Sequence, residues 1–119
     1  MSDVFPGSVR KLPKADIPVP GLQAYLSQAS DHQILFMEFQ DDAEIPAHAH
    51  AAQWTVVLEG RMDLEIEGVA RTCRKGDRIF IPTGEMHSAR IHAGYADITF
   101  VDQKDRYKAK WTVAASALV

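Results

Sequence analysis

Apolar and polar positions in this chain follow a period of two, in short runs cut by glycine and proline. The cleanest run has Met62, Leu64 and Ile66 alternating with Asp63, Glu65 and Glu67, and Gly68 closes it. Successive side chains of a strand point to opposite faces, so this pattern predicts a half-exposed β-strand. Residues 33–39 are nearly all apolar and predict a strand buried on both faces or in a sandwich core. Further strands are expected at 22–27, 55–58, 69–73, 78–81, 87–92 and 95–101. Between them lie turn signals such as Glu59-Gly60, Lys75-Gly76-Asp77, Pro82-Thr83-Gly84 and Ala93-Gly94. Short strands at about 8–12-residue spacing, with no helix-period segment between them, predict an all-β sandwich or barrel. The same absence argues against a parallel βαβ sheet. Phe36, Met37, Phe39 and Phe100 are core by default, with one or two free to line a pocket.

The ends are less regular. Pro6, Pro13, Pro18 and Pro20 interrupt residues 1–22 at a density that blocks both helix and central strand. An extended N-terminal arm fits that composition, as an edge strand or a segment exchanged with a partner. A partly disordered terminus fits it equally well. In residues 102–119, Lys104, Arg106, Lys108 and Lys110 alternate with Asp105, Tyr107, Ala109 and Trp111. That run suits a terminal strand, a short helix or a solvated face.

Composition narrows the class. A chain of 119 residues suits one domain, 1–119, with a core over about 22–110 behind the arm. The formal charge of -3 and pI of about 5.9 give no basic footprint for nucleic acid. Cys73 is the single cysteine, so no disulfide framework forms, and the thiol reads as a small buried hydrophobe in a reducing compartment. The N-terminus lacks the pattern of a signal peptide, and no apolar stretch reaches the roughly 18 residues of a membrane span. A cytoplasmic protein without membrane or nucleic-acid partners is expected.

The chemistry concentrates in Pro46-Ala47-His48-Ala49-His50-Ala51-Ala52-Gln53-Trp54. Positions i and i+2 of an extended chain share a face, so His48 and His50 can aim their imidazoles at one point. Neutral imidazole is the commonest metal ligand. Alone, the pair reads sooner as a solvated rim. A second segment alters that balance: Gly76, Pro82, Gly84 and His87 are spaced G-x5-P-x-G-x2-H. The two segments together resemble the two motifs of the cupin family, over residues 33–101. The first, G-x5-H-x-H-x3-4-E-x6-G, is matched at His48, His50 and Gly60, with Asp42 at its leading glycine and Gln53 at its glutamate. The spacing from His50 to Gln53 is one residue short. The second is matched except at its final asparagine, where Ile91 stands.

That resemblance implies a double-stranded β-helix, a jelly-roll barrel, with one divalent transition metal held by His48, His50, Gln53 and His87. Three imidazoles and an amide oxygen suit Zn, Mn, Fe, Ni or Cu without choosing among them. Gln53 either ligates or bonds to the barrel wall, leaving three histidines. Its neutral amide replaces the usual carboxylate, which leaves the metal charge uncompensated and favours an anionic ligand. The facial triad of iron(II) oxygenases, two histidines and a carboxylate, is absent. Some cupins acting on sugars or uronates use histidines with glutamine, and Asp102 and Arg106 are a loose echo of their substrate residues.

A metal-dependent enzyme on a small oxygenated, anionic molecule such as an enol, diketone or sugar acid is one expectation, as dioxygenase, isomerase or lyase. A non-catalytic small-molecule or metal-binding module is the other, and a metal that merely staples the barrel is a third. No general acid or base stands out; Glu38, Glu85 and Tyr107 are the candidates. His32 reads as a solvated turn residue, and His92 as surface or interface on the face opposite His87. Trp54 should point away from the metal. Small cupins commonly pair, so a homodimer is expected.

Overall fold

In the computed structural model residues 4–110 are described. Trp111 and the rest of the C-terminal run lie outside them. The strands are β1 (Leu22–Gln28), β2 (Gln33–Phe39), β3 (Ala43–His48), β4 (Gln53–Glu59), β5 (Arg61–Ile66), β6 (Val69–Arg74), β7 (Arg78–Ile81), β8 (His87–Ile91) and β9 (Ala96–Val101). One sheet runs β1-β2-β9-β4-β7 and the other β3-β8-β5-β6. Every pairing is antiparallel. Two such sheets packed face to face are a jelly roll.

The alternation predicted for β5 holds. Met62 and Leu64 are buried, and Asp63 and Glu65 are not. The apolar faces of both sheets meet in one cluster, with Phe39, Val57, Ile79 and Ile81 from the first sheet against Met62, Leu64, Cys73 and Ile91 from the second. Fully burying side chains of this size contributes about 1.5–3 kcal/mol each. The Cys73 thiol is fully buried, and desolvation raises its pKa, so it behaves as a small apolar residue.

The aromatic residues divide differently from the default. Phe39 is buried between the sheets and Met37 packs against that cluster. Phe36 and Phe100 are only partly buried: Phe36 packs edge-on against Phe5, and Phe100 stacks on His32 at 4.7 Å. From Tyr95, just before β9, the buried row continues through Asp97, Thr99 and Val101 of that strand, while Ile98 and Phe100 are half-covered. The polar row thus faces inward, which hydrogen bonds among its members make affordable.

The proline-rich arm folds back on its own chain. Pro6 precedes a short helix, α1 (Gly7–Arg10), where the prolines had pointed to none. Proline blocks a helix interior but suits its first positions, because its missing N–H would be unpaired there anyway. Phe5 is buried against Tyr25 and Phe36. Beyond α1 the arm bridges β1 through Lys14 and the C-terminal stretch through Ala15 and Ala109. Ala15 packs there with Ala24, Leu26, Leu35 and Val101, flanked by Tyr107. The arm so covers the β1 edge, which would otherwise offer unpaired backbone groups. The stretch after Val101 forms neither strand nor helix among the described residues; Ala109 makes a single bridge.

Gly60 turns β4 into β5 with φ +79°, and a Cβ there would sit 2.7 Å from the Tyr95 Cα. Gly68 has a similar φ of +81° but open space around it. Gly68→Ala is therefore expected to cost only the left-handed penalty, about 1 kcal/mol. Gly60→Ala should cost about 2 kcal/mol or more, because backbone must also move. Urea unfolding of both variants checks this; equal losses would contradict the close approach at Gly60.

Candidate metal centre

Three strand termini meet at one mouth of the barrel. His48 ends β3 and His87 begins β8, and the two are direct partners across the ladder. Ile45 pairs with Ala89, so three steps along β3 match two along β8, and one extra residue is inserted at Pro46-Ala47. Ile45 packs against the core between the sheets. Strict alternation would then turn Ala47 inward and His48 out. The bulge shifts the phase by one residue and brings His48 onto the face of Ile45. Proline is tolerated there because a bulge leaves its position unpaired.

His50 follows in the loop to β4. The Pro82–Gly84 turn holds that loop, for Gly84 N–H donates to the His50 carbonyl at 3.0 Å and Thr83 Oγ1 accepts from Ala52 N–H at 3.0 Å. Gly84 adopts φ +81°, open to glycine at little cost, and this carries the chain into His87. The spacing of the second motif thus has a mechanical meaning: its turn ties one histidine segment to the other.

One potential ligand atom from each of His48, His50 and His87 lies within 4.8 Å of the others. The rings are 4.3 to 5.1 Å apart between centroids. In each ring Nδ1 donates to a backbone carbonyl: His48 to Pro46 at 2.8 Å, His50 to Ala51 at 2.7 Å and His87 to Glu85 at 3.0 Å. A neutral imidazole whose Nδ1 carries the proton presents a lone pair at Nε2. Backbone carbonyls in this role fix tautomer and ring angle, as they do for metal-bound histidines. Burial lowers the pKa of His50 and of His87, and the positive Arg106 lowers both further. Both rings are thereby held in the neutral form a metal requires. The donor set fits a divalent transition metal.

Gln53 starts β4 and lines the same cavity as His48 and His87. Its Nε2 donates to Thr55 Oγ1 at 3.2 Å, and its Oε1 is the donor atom left for other partners. The cavity has a volume of about 380 Å³ and lies between the sheets. Its walls are mainly apolar, with Arg106, Tyr107, Tyr95 and Asp97 among the polar exceptions. Arg106 lies over the Tyr107 ring at 4.9 Å, and its buried Nε has no hydrogen-bond partner among the described residues.

The remaining candidates fall elsewhere. Glu38 is buried beside Arg10 and, like Glu85 and Asp102, does not line the cavity. Tyr107 does line it. His92 binds Asp63 at 2.8 Å away from the cluster, and with Arg61 holds that carboxyl down at about 2. His32 is half-buried on Phe100 and bonded to Asp31. Trp54, 43% exposed, points outward as alternation requires.

Asp97 escaped the sequence reading. Its carboxyl is fully buried, and desolvation pushes its pKa up to about 7, against the pull of Tyr95 and Thr99. The only signal was its place two residues from Tyr95 and Thr99 in an alternating strand. Between about pH 4 and pH 7 the folded chain keeps this proton while the unfolded chain has released it. The group's stabilising contribution is thus complete below about pH 4 and is lost as pH rises to 7. A tenfold change in proton affinity corresponds to about 1.4 kcal/mol. Asp97→Asn should match wild type near pH 4 and exceed it by a few kcal/mol at pH 8, in urea unfolding with chelator present. Parallel stability profiles would contradict the raised pKa.

The family model for the cupin domain matches residues 35–103. No curated protein matches the chain. Among solved structures, KdgF from Halomonas sp. is 25% identical with a TM-score of 0.67, over 76% of this chain and 87% of that one. An RmlC-like cupin from Shewanella frigidimarina is 22% identical with a TM-score of 0.70, over 89% and 94%. Salicylate 1,2-dioxygenase from Pseudoaminobacter salicylatoxidans, solved with gentisate, shares 17% identity and a TM-score of 0.64, over 72% of this chain and 26% of that one. The last two show likeness of fold alone. The matched span holds all three histidines, the bulge at Pro46-Ala47 and the Pro82–Gly84 turn, and the chain belongs to the cupin family.

Proposed function

We propose that the protein is a metal-dependent enzyme acting on a small oxygenated, anionic substrate such as an enol, diketone or sugar acid. The observation that carries this reading is a cluster of three tautomer-locked imidazoles, two of them on a cavity that also holds an arginine N–H unpartnered among the described residues. His48, His50 and His87 would hold a Zn, Mn, Fe, Ni or Cu ion, with Gln53 Oε1 as fourth ligand. The metal when bound would polarise a carbonyl or enolate oxygen. All four ligands are neutral, so nothing in the set cancels the ion's charge. Arg106 adds a second positive charge on the same cavity, and a substrate carboxylate or enolate would satisfy its Nε. The apolar walls exclude water and strengthen both attractions. At about 380 Å³ the cavity suits a small molecule.

A specific observation favours a second reading, a non-catalytic binding module. The two carboxyls lining the cavity are both engaged: Glu44 with Arg90 at 2.6 Å, and Asp97 with Tyr95 and Thr99. Among the described residues no free carboxylate is left there as a general base. The buried thiol of Cys73 supports a reducing, cytoplasmic setting, and the outward Trp54 beside the 59% exposed Phe80 supports pairing into a homodimer.

Elemental analysis is expected to find about one metal per wild-type chain and none in a His48→Ala, His87→Ala double variant; equal content in both would sink the site. Arg106→Ala should weaken binding of an anionic ligand roughly tenfold, the worth of a charge-assisted hydrogen bond. Turnover of enols, diketones, flavonols or uronates by metal-loaded protein is the expected outcome; thermal shifts with these ligands and no turnover would give the binding module instead. Light scattering should report a dimer for wild type and a monomer for Trp54→Glu.

A further inference from the structure

A polar row crosses the inner face of the larger sheet. Thr55 on β4 sits directly opposite Thr99 on β9. Gln53 lies two residues before Thr55, and Asp97 two residues before Thr99, so all four share that face. Gln53 Nε2 donates to Thr55 Oγ1 at 3.2 Å, and the Thr55 and Thr99 hydroxyls are 2.9 Å apart. Thr99 Oγ1 donates to Asp97 Oδ1 at 3.1 Å, and Tyr95 OH donates to Asp97 Oδ2 at 2.6 Å. Thr55 and Thr99 are 2% and 1% exposed, so water does not intervene.

Counting protons gives this row a direction. A threonine hydroxyl has one hydrogen to donate. Thr99 gives its hydrogen to Asp97, so the bond between the two threonines must be donated by Thr55. The Thr55 hydrogen is then committed, and its oxygen accepts from Gln53. That selects the NH2 end of the amide for Thr55 and leaves Oε1 on the other side. Reversal would turn the NH2, which cannot ligate, into Oε1's place. The starting point is Asp97, whose two oxygens accept from Thr99 and from Tyr95. Both of its oxygens are occupied, so it is placed to orient rather than to exchange protons with a substrate.

We propose that Asp97 is a positioning residue of the metal centre, acting through Thr99 and Thr55 to hold the Gln53 amide with its oxygen toward the three imidazoles. This rests on the reading of Gln53 as a ligand. Groups behind a metal ligand typically carry about 10- to 100-fold in metal affinity. The effect here runs through two hydroxyls, neither of which hydrogen-bonds to an imidazole among the described residues.

The test titrates Co2+ into metal-free protein and follows its visible absorption. Gln53→Ala should weaken Co2+ binding and alter the band pattern. Thr99→Val should weaken binding about tenfold and shift the spectrum the same way, and Thr99→Ser, which keeps the hydroxyl, should behave as wild type. In the Gln53→Ala background Thr99→Val should do nothing more. Thr99→Ala removes the same hydroxyl without added bulk and serves if the valine variant fails to fold. If Gln53→Ala weakens binding but both Thr99 variants leave it unchanged, the relay is wrong and the ligand stands. If Thr99→Val is equally costly in both backgrounds, its role is only structural and the relay is again wrong. If Gln53→Ala changes nothing, Gln53 is not a ligand and the relay falls with it.

Discussion

The pairing of β3 with β8 is the constraint on which the site depends. One extra residue at Pro46-Ala47 lets Ile45 and His48 face the same side. A straight strand would bury one and expose the other. The bulge therefore serves the core and the chemistry together: Ile45 packs against the sheets while His48 stands beside His87. The Pro82–Gly84 turn completes the arrangement by tying the His50 loop to the start of β8. Among the described residues none of the three imidazoles hydrogen-bonds to another side chain. Backbone carbonyls set all three, and a backbone fixed by two sheets is stiffer than a side chain.

Electrostatics follow from that frame. His50 and His87 are kept neutral by burial and by a nearby arginine, and Gln53 adds no charge. The fully buried carboxyl of Asp97 sits behind the site at the far end of a hydrogen-bonded row. Its burial has a stability cost above neutral pH. Apolar residues of similar volume would avoid it. The row orders a core that is otherwise apolar, and it connects the floor of the cavity to the mouth where the histidines meet.

Much of this was legible in the residues. The strands at 33–39 and 78–81 were read at their observed limits, because glycine, proline and charge bound them sharply. The histidines were legible because their spacing matches two motifs whose turns do mechanical work. β9 was legible as a strand but not in its phase. Ile98 and Phe100 are the apolar residues, and hydrophobicity alone would turn them inward. In the fold the inward row is Tyr95, Asp97 and Thr99, whose polar groups satisfy one another. That satisfaction depends on Thr55, 44 residues away, and no local pattern reveals it. The short helix in the N-terminal arm was missed for a similar reason. Its prolines were read locally, while its shape comes from Phe5 and Ala15 packing on distant strands.

The central claim is that these three imidazoles bind one metal ion through Nε2. X-ray absorption on zinc-reconstituted protein tests it most directly. The outer-shell signature of three imidazole rings at first-shell distances of about 2.0–2.1 Å is the result expected. A shell of oxygen donors without imidazole scattering would contradict it.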